Sequence, residues 1–137
     1  MKNLFVALFS IVFLGAAAFA QDKTDSTKKP AFQIIKPEQF DALRKADTNK
    51  TVVLDVRTKK EYTEGHIPGS VLLDFMSDDF EKDVAKLDKN KTYLVHCASG
   101  GRSARACKKM EKLGFKKLYN LEGGMGAWEK EGKPVKR

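Results

Sequence analysis

Two hydrophobic patterns alternate along most of the chain. Short apolar runs, several rich in β-branched residues, are separated by stretches in which apolar side chains recur every three or four positions. The runs predict strands at Phe32–Ile35, Thr51–Leu54, Ser70–Leu73, Thr92–Val95 and Lys117–Leu121. Pro37 suits a first helical position, and Glu38–Ala46 continues that helix with Phe40 and Leu43 turned inward. Lys59–Thr63 predicts a short helical turn, Asp78–Leu87 a helix burying Phe80, Val84 and Leu87, and Ala127–Lys130 a last short helix. Ser103–Leu113 carries the clearest helical stripe: Ala106, Cys107, Met110 and Leu113 share one face, with Arg105, Lys108, Lys109 and Lys112 opposite. Gly65-His66-Ile67-Pro68-Gly69 breaks regular structure and reads as a loop. Strands alternating with helices in this way argue for an open, mainly parallel α/β sheet with right-handed crossovers.

In open parallel sheets, ligands bind beyond the carboxyl ends of the strands. Three polar or glycine-rich segments fall at such ends: Asp55-Val56-Arg57, Cys97–Arg102 and Glu122-Gly123-Gly124. The second, within "HCASGGRS", has the richest chemistry. Gly100 and Gly101 are free to take positive φ in the sharp turn between strand and helix. Inward-pointing backbone N–H groups of such a loop form an anion-binding nest, and the start of the following helix adds to its positive field. A Cys97 thiolate inside that ring is stabilised and becomes a nucleophile at neutral pH. Arg102 adds a permanent charge able to fork onto an oxyanion.

Cysteine-dependent phosphatases also place a histidine before the cysteine, but they put five residues between cysteine and arginine. Here only Ala98, Ser99, Gly100 and Gly101 intervene. The tighter ring suits one added sulfur atom better than a tetrahedral phosphate. A phosphatase or arsenate reductase is therefore the weaker alternative.

The N-terminus changes the expected compartment. Lys2 precedes the apolar stretch Leu4–Leu14, and Ala18-Phe19-Ala20 matches an A-x-A cleavage site, so residues 1–20 read as a signal peptide. The competing reading is an uncleaved anchor, but the whole apolar segment, Leu4–Ala20, only reaches the lower end of the roughly 17–25 residues that span a bilayer. The protein is expected to be exported, periplasmic in a Gram-negative bacterium or otherwise secreted, without stable membrane association after cleavage. Gln21–Pro30 is polar and reads as a linker, leaving residues 31–137 as one domain. Export raises the question of a disulfide. Cys107 is expected well inside the helix that Cys97 precedes, which places the pair poorly for a bridge.

The net charge of +8 comes from lysines and arginines spread along the chain. A basic patch interleaved with aromatics is missing, so no nucleic-acid partner is expected. The positive field favours small anionic substrates. Two cysteines and two histidines offer no metal-ligand spacing, and no cofactor is expected.

Three segments together resemble a known family. "LDVRTKKEYTEGHIPGS" (Leu54–Ser70), "VHCASGGRSARACKKMEKLGF" (Val95–Phe115) and "LYNLEGGMGAW" (Leu118–Trp128) are similar, in this order, to the signatures of single-domain rhodanese-like sulfurtransferases. The resemblance covers about residues 31–135 and implies a five-stranded, mainly parallel sheet with helices on both faces. It implies that Cys97 takes sulfane sulfur from an anionic donor such as thiosulfate, carries it as a persulfide, and yields it to cyanide, a thiol or an acceptor protein. Ala98, Ser99, Gly100, Gly101, Arg102 and Ser103 would bind substrate and persulfide, with Arg102 attracting or orienting the donor. A carrier or interaction module that loads sulfur without turnover is the main alternative.

The remaining polar residues have plainer readings. Ser103 suits a helix cap. Asp55 and Arg57 suit support of the neighbouring loop. Strand alternation turns His96 away from Cys97. His66 suits a loop-fixing hydrogen bond, Cys107 the core, and Trp128 and Tyr119 packing.

Overall fold

The computed structural model describes residues 32–137. The expected signal peptide and linker lie outside the described residues. Five strands, β1 (Phe32–Ile35), β2 (Thr51–Asp55), β3 (Val71–Leu72), β4 (Thr92–His96) and β5 (Leu118–Leu121), alternate with five helices. The helices are α1 (Pro37–Ala46), α2 (Lys59–Glu64), α3 (Phe80–Val84), α4 (Gly101–Lys112) and α5 (Gly124–Lys130). The strands form one sheet in the order β1-β5-β4-β2-β3, and every pairing is parallel.

A parallel sheet covered on both faces needs two cores, and the side chains divide accordingly. On one face Tyr93, Val95 and Cys97 pack with Phe80 and Val84 of α3 and Ala106, Cys107 and Met110 of α4. On the other, Leu94 packs with Phe40 of α1 and Met125 and Trp128 of α5. Period-two alternation along β4 produces this split. Trp128 is fully buried, and its Nε1–H donates to the Pro134 carbonyl at 2.8 Å. Tyr119 packs against the same core.

Two elements are shorter than expected by two residues or more. The strand predicted over Ser70–Leu73 is reduced to Val71–Leu72, because the Ser70 N–H turns back to the Ile67 carbonyl at 3.0 Å. The helix predicted over Asp78–Leu87 is regular only from Phe80 to Val84. Beyond it the chain tightens into three-residue turns, with the Leu87 N–H on the Val84 carbonyl at 3.0 Å, which still carries Leu87 to the core. Among the described residues, no helix is long and apolar enough to cross a membrane.

Candidate functional site

β4 is the central strand, so the chain leaving it emerges between loops from its neighbours on either side. Cys97 is the first residue past that strand, and its side chain continues the Tyr93–Val95 face toward α4. The turn is completed by Gly100 at φ +107°, a conformation that costs other residues a Cβ clash. Gly101 does not share that conformation; it opens α4 in helical geometry.

The early start of α4 corrects the expected role of Ser103. Gly100 occupies the cap position, and Ser103 lies in the first turn of the helix with its side chain facing the loop. Its hydroxyl is 3.3 Å from Cys97 Sγ and 3.1 Å from the Gly100 carbonyl. The Gly100 carbonyl already accepts the Ala104 N–H at 3.1 Å and Asn120 Nδ2–H at 3.3 Å. The one hydroxyl hydrogen is therefore free to serve the sulfur. The Gly100 N–H also points at Sγ, at 3.1 Å. Burial works against a Cys97 thiolate, but hydrogen bonds from the Ser103 hydroxyl and from the N–H groups of Ser103, Ser99 and Gly100 outweigh it. The thiol is held below its ordinary pKa. Of the N–H groups expected to ring an anion here, that of Gly100 lies within hydrogen-bond distance of Sγ, joined by the Ser103 hydroxyl.

The loop after β5 buttresses this ring. The first turn of α5 donates the Met125 N–H to the Cys97 carbonyl at 2.8 Å and the Gly126 N–H to the Ala98 carbonyl at 3.1 Å. Gly124 makes that approach possible: at φ +58°, a Cβ there would lie 2.5 Å from the Cys97 carbonyl oxygen.

Arg102 stands beside the loop with both terminal nitrogens on Glu61, NH1 to Oε2 at 2.8 Å and NH2 to Oε1 at 2.7 Å. The arginine expected to meet an anionic donor is therefore paired within the protein. Glu61 also accepts the N–H and hydroxyl of Thr58, each at 3.0 Å, closing the capping box of α2. Led by the Arg102 hydrogen bonds, these contacts hold the Glu61 carboxyl at about 2.

Asp55 and Arg57 do not join the ring. They form a buried pair, Arg57 NH2 to Asp55 Oδ2 at 2.7 Å, and Arg57 donates a second hydrogen bond to the Gly65 carbonyl at 2.8 Å. This geometry fixes the 65–69 loop against the end of β2. His96 lies on the opposite face from Cys97, edge-on to Phe40 and 3.6 Å from Asp55. Burial holds its pKa below the ordinary value. His66 stacks on Tyr62 at 3.9 Å between ring centroids and pairs its Nδ1 with the Tyr62 carbonyl at 3.0 Å. Both cysteines are free thiols, and burial pushes Cys107 up to about 12. No group of three metal-ligating side chains occurs among the described residues.

Three residues around the ring escaped sequence reasoning: Glu61, Asn120 and Gly124 as a close-approach glycine. Asn120 left one signal, a polar residue at a buried position of the otherwise apolar β5. Glu61 sits inside the predicted turn Lys59–Thr63, and nothing local points to a partner 41 positions away.

The rhodanese-like domain model matches residues 37–131. The chain is 38% identical over 98 residues to a thiosulfate sulfurtransferase, GlpE, of Pseudomonas savastanoi pv. phaseolicola, covering 71% of this chain and 87% of that one. It is 32% identical over 92 residues to a sulfurtransferase of Allochromatium vinosum, covering 67% and 84% respectively. The crystal structure of a rhodanese-related protein from Thermoplasma volcanium superposes with a TM-score of 0.65 at 30% identity, covering 76% of this chain and 97% of that one. With the five-stranded parallel sheet and the loop beyond its central strand, these matches place the chain in the rhodanese-like domain family.

Proposed function

We propose that this protein is an exported sulfurtransferase that moves sulfane sulfur from a small anionic donor to a thiophilic acceptor through a persulfide on Cys97. The observation that carries the reading is the Cys97 sulfur, ringed by the Gly100 N–H and the Ser103 hydroxyl with its pKa held down. Relatives named as sulfurtransferases support the reaction class, and one named for thiosulfate supports the donor.

With thiosulfate, the Cys97 thiolate attacks the outer sulfur. A bond forms between Sγ and that sulfur, the bond to the sulfite sulfur breaks, and sulfite leaves with its electron pair. The persulfide keeps one negative charge, which the N–H groups of Ser99, Gly100 and Ser103 are positioned to hold. Cyanide or a thiolate then takes the outer sulfur and returns Cys97 to the thiolate. The engagement of Arg102 with Glu61 argues against a phosphatase, because the fork that would hold a phosphate is filled by a carboxylate. Export rests on the sequence of residues 1–20, and secreted protein beginning at Gln21 would support it.

The test is intact mass after thiosulfate treatment, followed by a thiocyanate assay with cyanide. Wild type should gain one sulfur and turn over, and Cys97→Ser should do neither. Loading without turnover would reassign the protein as a carrier. Turnover by Cys97→Ser would remove Cys97 from the reaction.

A further inference from the structure

We propose that Glu61 sets the donor preference of the Cys97 loop by holding Arg102 as a neutral pair, so that singly charged sulfane donors are favoured over the thiosulfate dianion. This rests on the reading of Cys97 as the sulfur-transfer nucleophile. Arg102 is the arginine of the loop itself, five positions from Cys97. Its fork is filled by the two Glu61 oxygens at 2.7 and 2.8 Å, the geometry of a strong bidentate pair.

Glu61 is held there by more than the arginine. Oε2 also accepts the Thr58 N–H and hydroxyl, so the carboxylate cannot swing aside without uncapping α2. The pair is part-buried, with side chains 22% and 31% exposed, so water screens it only in part. Asp74 is a second carboxylate whose charge reaches Arg102. The Arg102 charge still reaches Cys97, but with its fork filled the hydrogen-bond donors left to the sulfur are the Gly100 N–H and the Ser103 hydroxyl. Those donors suit the single charge of a thiolate or persulfide. A dianionic donor brings a sulfonate that must either pull Arg102 from Glu61 or approach a carboxylate. A monoanion avoids most of that repulsion. Glu61 is on this argument a positioning residue, acting on the donor through Arg102.

The experiment uses two donors with the same sulfur chemistry and different charge: thiosulfate, a dianion, and benzenethiosulfonate, a monoanion, each with cyanide as acceptor. Glu61→Gln keeps an oxygen for Thr58 and removes the charge. It should raise the thiosulfate-to-benzenethiosulfonate ratio of kcat/KM by roughly tenfold, the scale of one charged hydrogen bond gained, mainly by lowering KM for thiosulfate. Adding Arg102→Gln should return the ratio toward wild type. If Glu61→Gln fails to fold, Glu61→Asp, too short to span Thr58 and Arg102 together, should raise the ratio by less. Active variants with an unmoved ratio, or equal losses on both donors, overturn the role given to Glu61. No transfer from either donor by wild type overturns the sulfur-transfer reading as well.

Discussion

At Cys97 the balance between thiol and thiolate is set by a few atoms. Burial opposes the charge, and hydrogen bonds from one hydroxyl and three N–H groups overcome it. Ser103 supplies the hydroxyl, at 3.3 Å from the sulfur. Ser103→Ala should leave the backbone ring intact and raise the thiol's pKa toward its ordinary value. Transfer falls as pH falls through that pKa, because the thiolate is protonated. The acid limb of kcat/KM should therefore move to higher pH in the variant, with a loss of roughly three- to tenfold below it, the reach of one hydrogen bond. A pH profile superposing on wild type would show that the hydroxyl serves the Gly100 carbonyl instead. Cys97 was legible in the sequence because a cysteine before paired glycines and an arginine has a narrow set of uses. Only the cap reading of Ser103 failed, because Gly100 takes the left-handed conformation and starts the helix earlier.

Among the elements, the long periodic ones were legible, as were the short β1 and α2, but the ends of β3 and α3 were not. The stripe on α4 and the β-branched run of β2 each carry enough repeats to fix type and face. β3 and α3 have too few residues for period alone to set their ends, and local turns cut them short. The contact between α5 and the Cys97 loop is the least local feature of the site, since it depends on two loops meeting over β4 and β5. Gly124 and Gly126 allow it to be tested within one helix. Gly124→Ala puts a Cβ 2.5 Å from the Cys97 carbonyl oxygen at positive φ. It should cost more than the roughly 1–2 kcal/mol of a left-handed residue and should cut transfer by displacing the loop. Gly126→Ala puts its Cβ at an ordinary 3.6 Å from the Ala98 oxygen and should be neutral or stabilising by up to about 1 kcal/mol. Thermal melts and transfer rates of the two proteins check this, and equal effects would mean that the close approach does not hold the loop.

At the scale of the whole molecule, the strand order β1-β5-β4-β2-β3 decides which distant residues meet. The sequence argued for a parallel sheet but not for its order, since right-handed crossovers permit several. The order brings His96 of β4 against Asp55 of β2, where Arg57 also pairs. This buried cluster ties the centre of the sheet to the loop at Gly65 and should govern how stability responds to acid. Burial lowers the pKa of native His96 below 6.5, so the unfolded chain takes up a proton first as pH falls. The contribution of neutral His96 is complete above about 6.5 and is lost progressively as pH drops toward its native value. Glu61 acts in a lower window: its carboxyl, at about 2 in the native protein against 4.5 when unperturbed, loses its stabilising effect between those values. The melting temperature of wild type should therefore begin to decline near pH 6.5, well before the acidic pairs titrate. His96→Asn should remove that first decline and keep the second, whatever its effect on stability at neutral pH. Melts recorded from neutral pH into the acid range for both proteins measure the two slopes. An identical early decline in the variant would assign it to another group and leave His96 with a packing role alone.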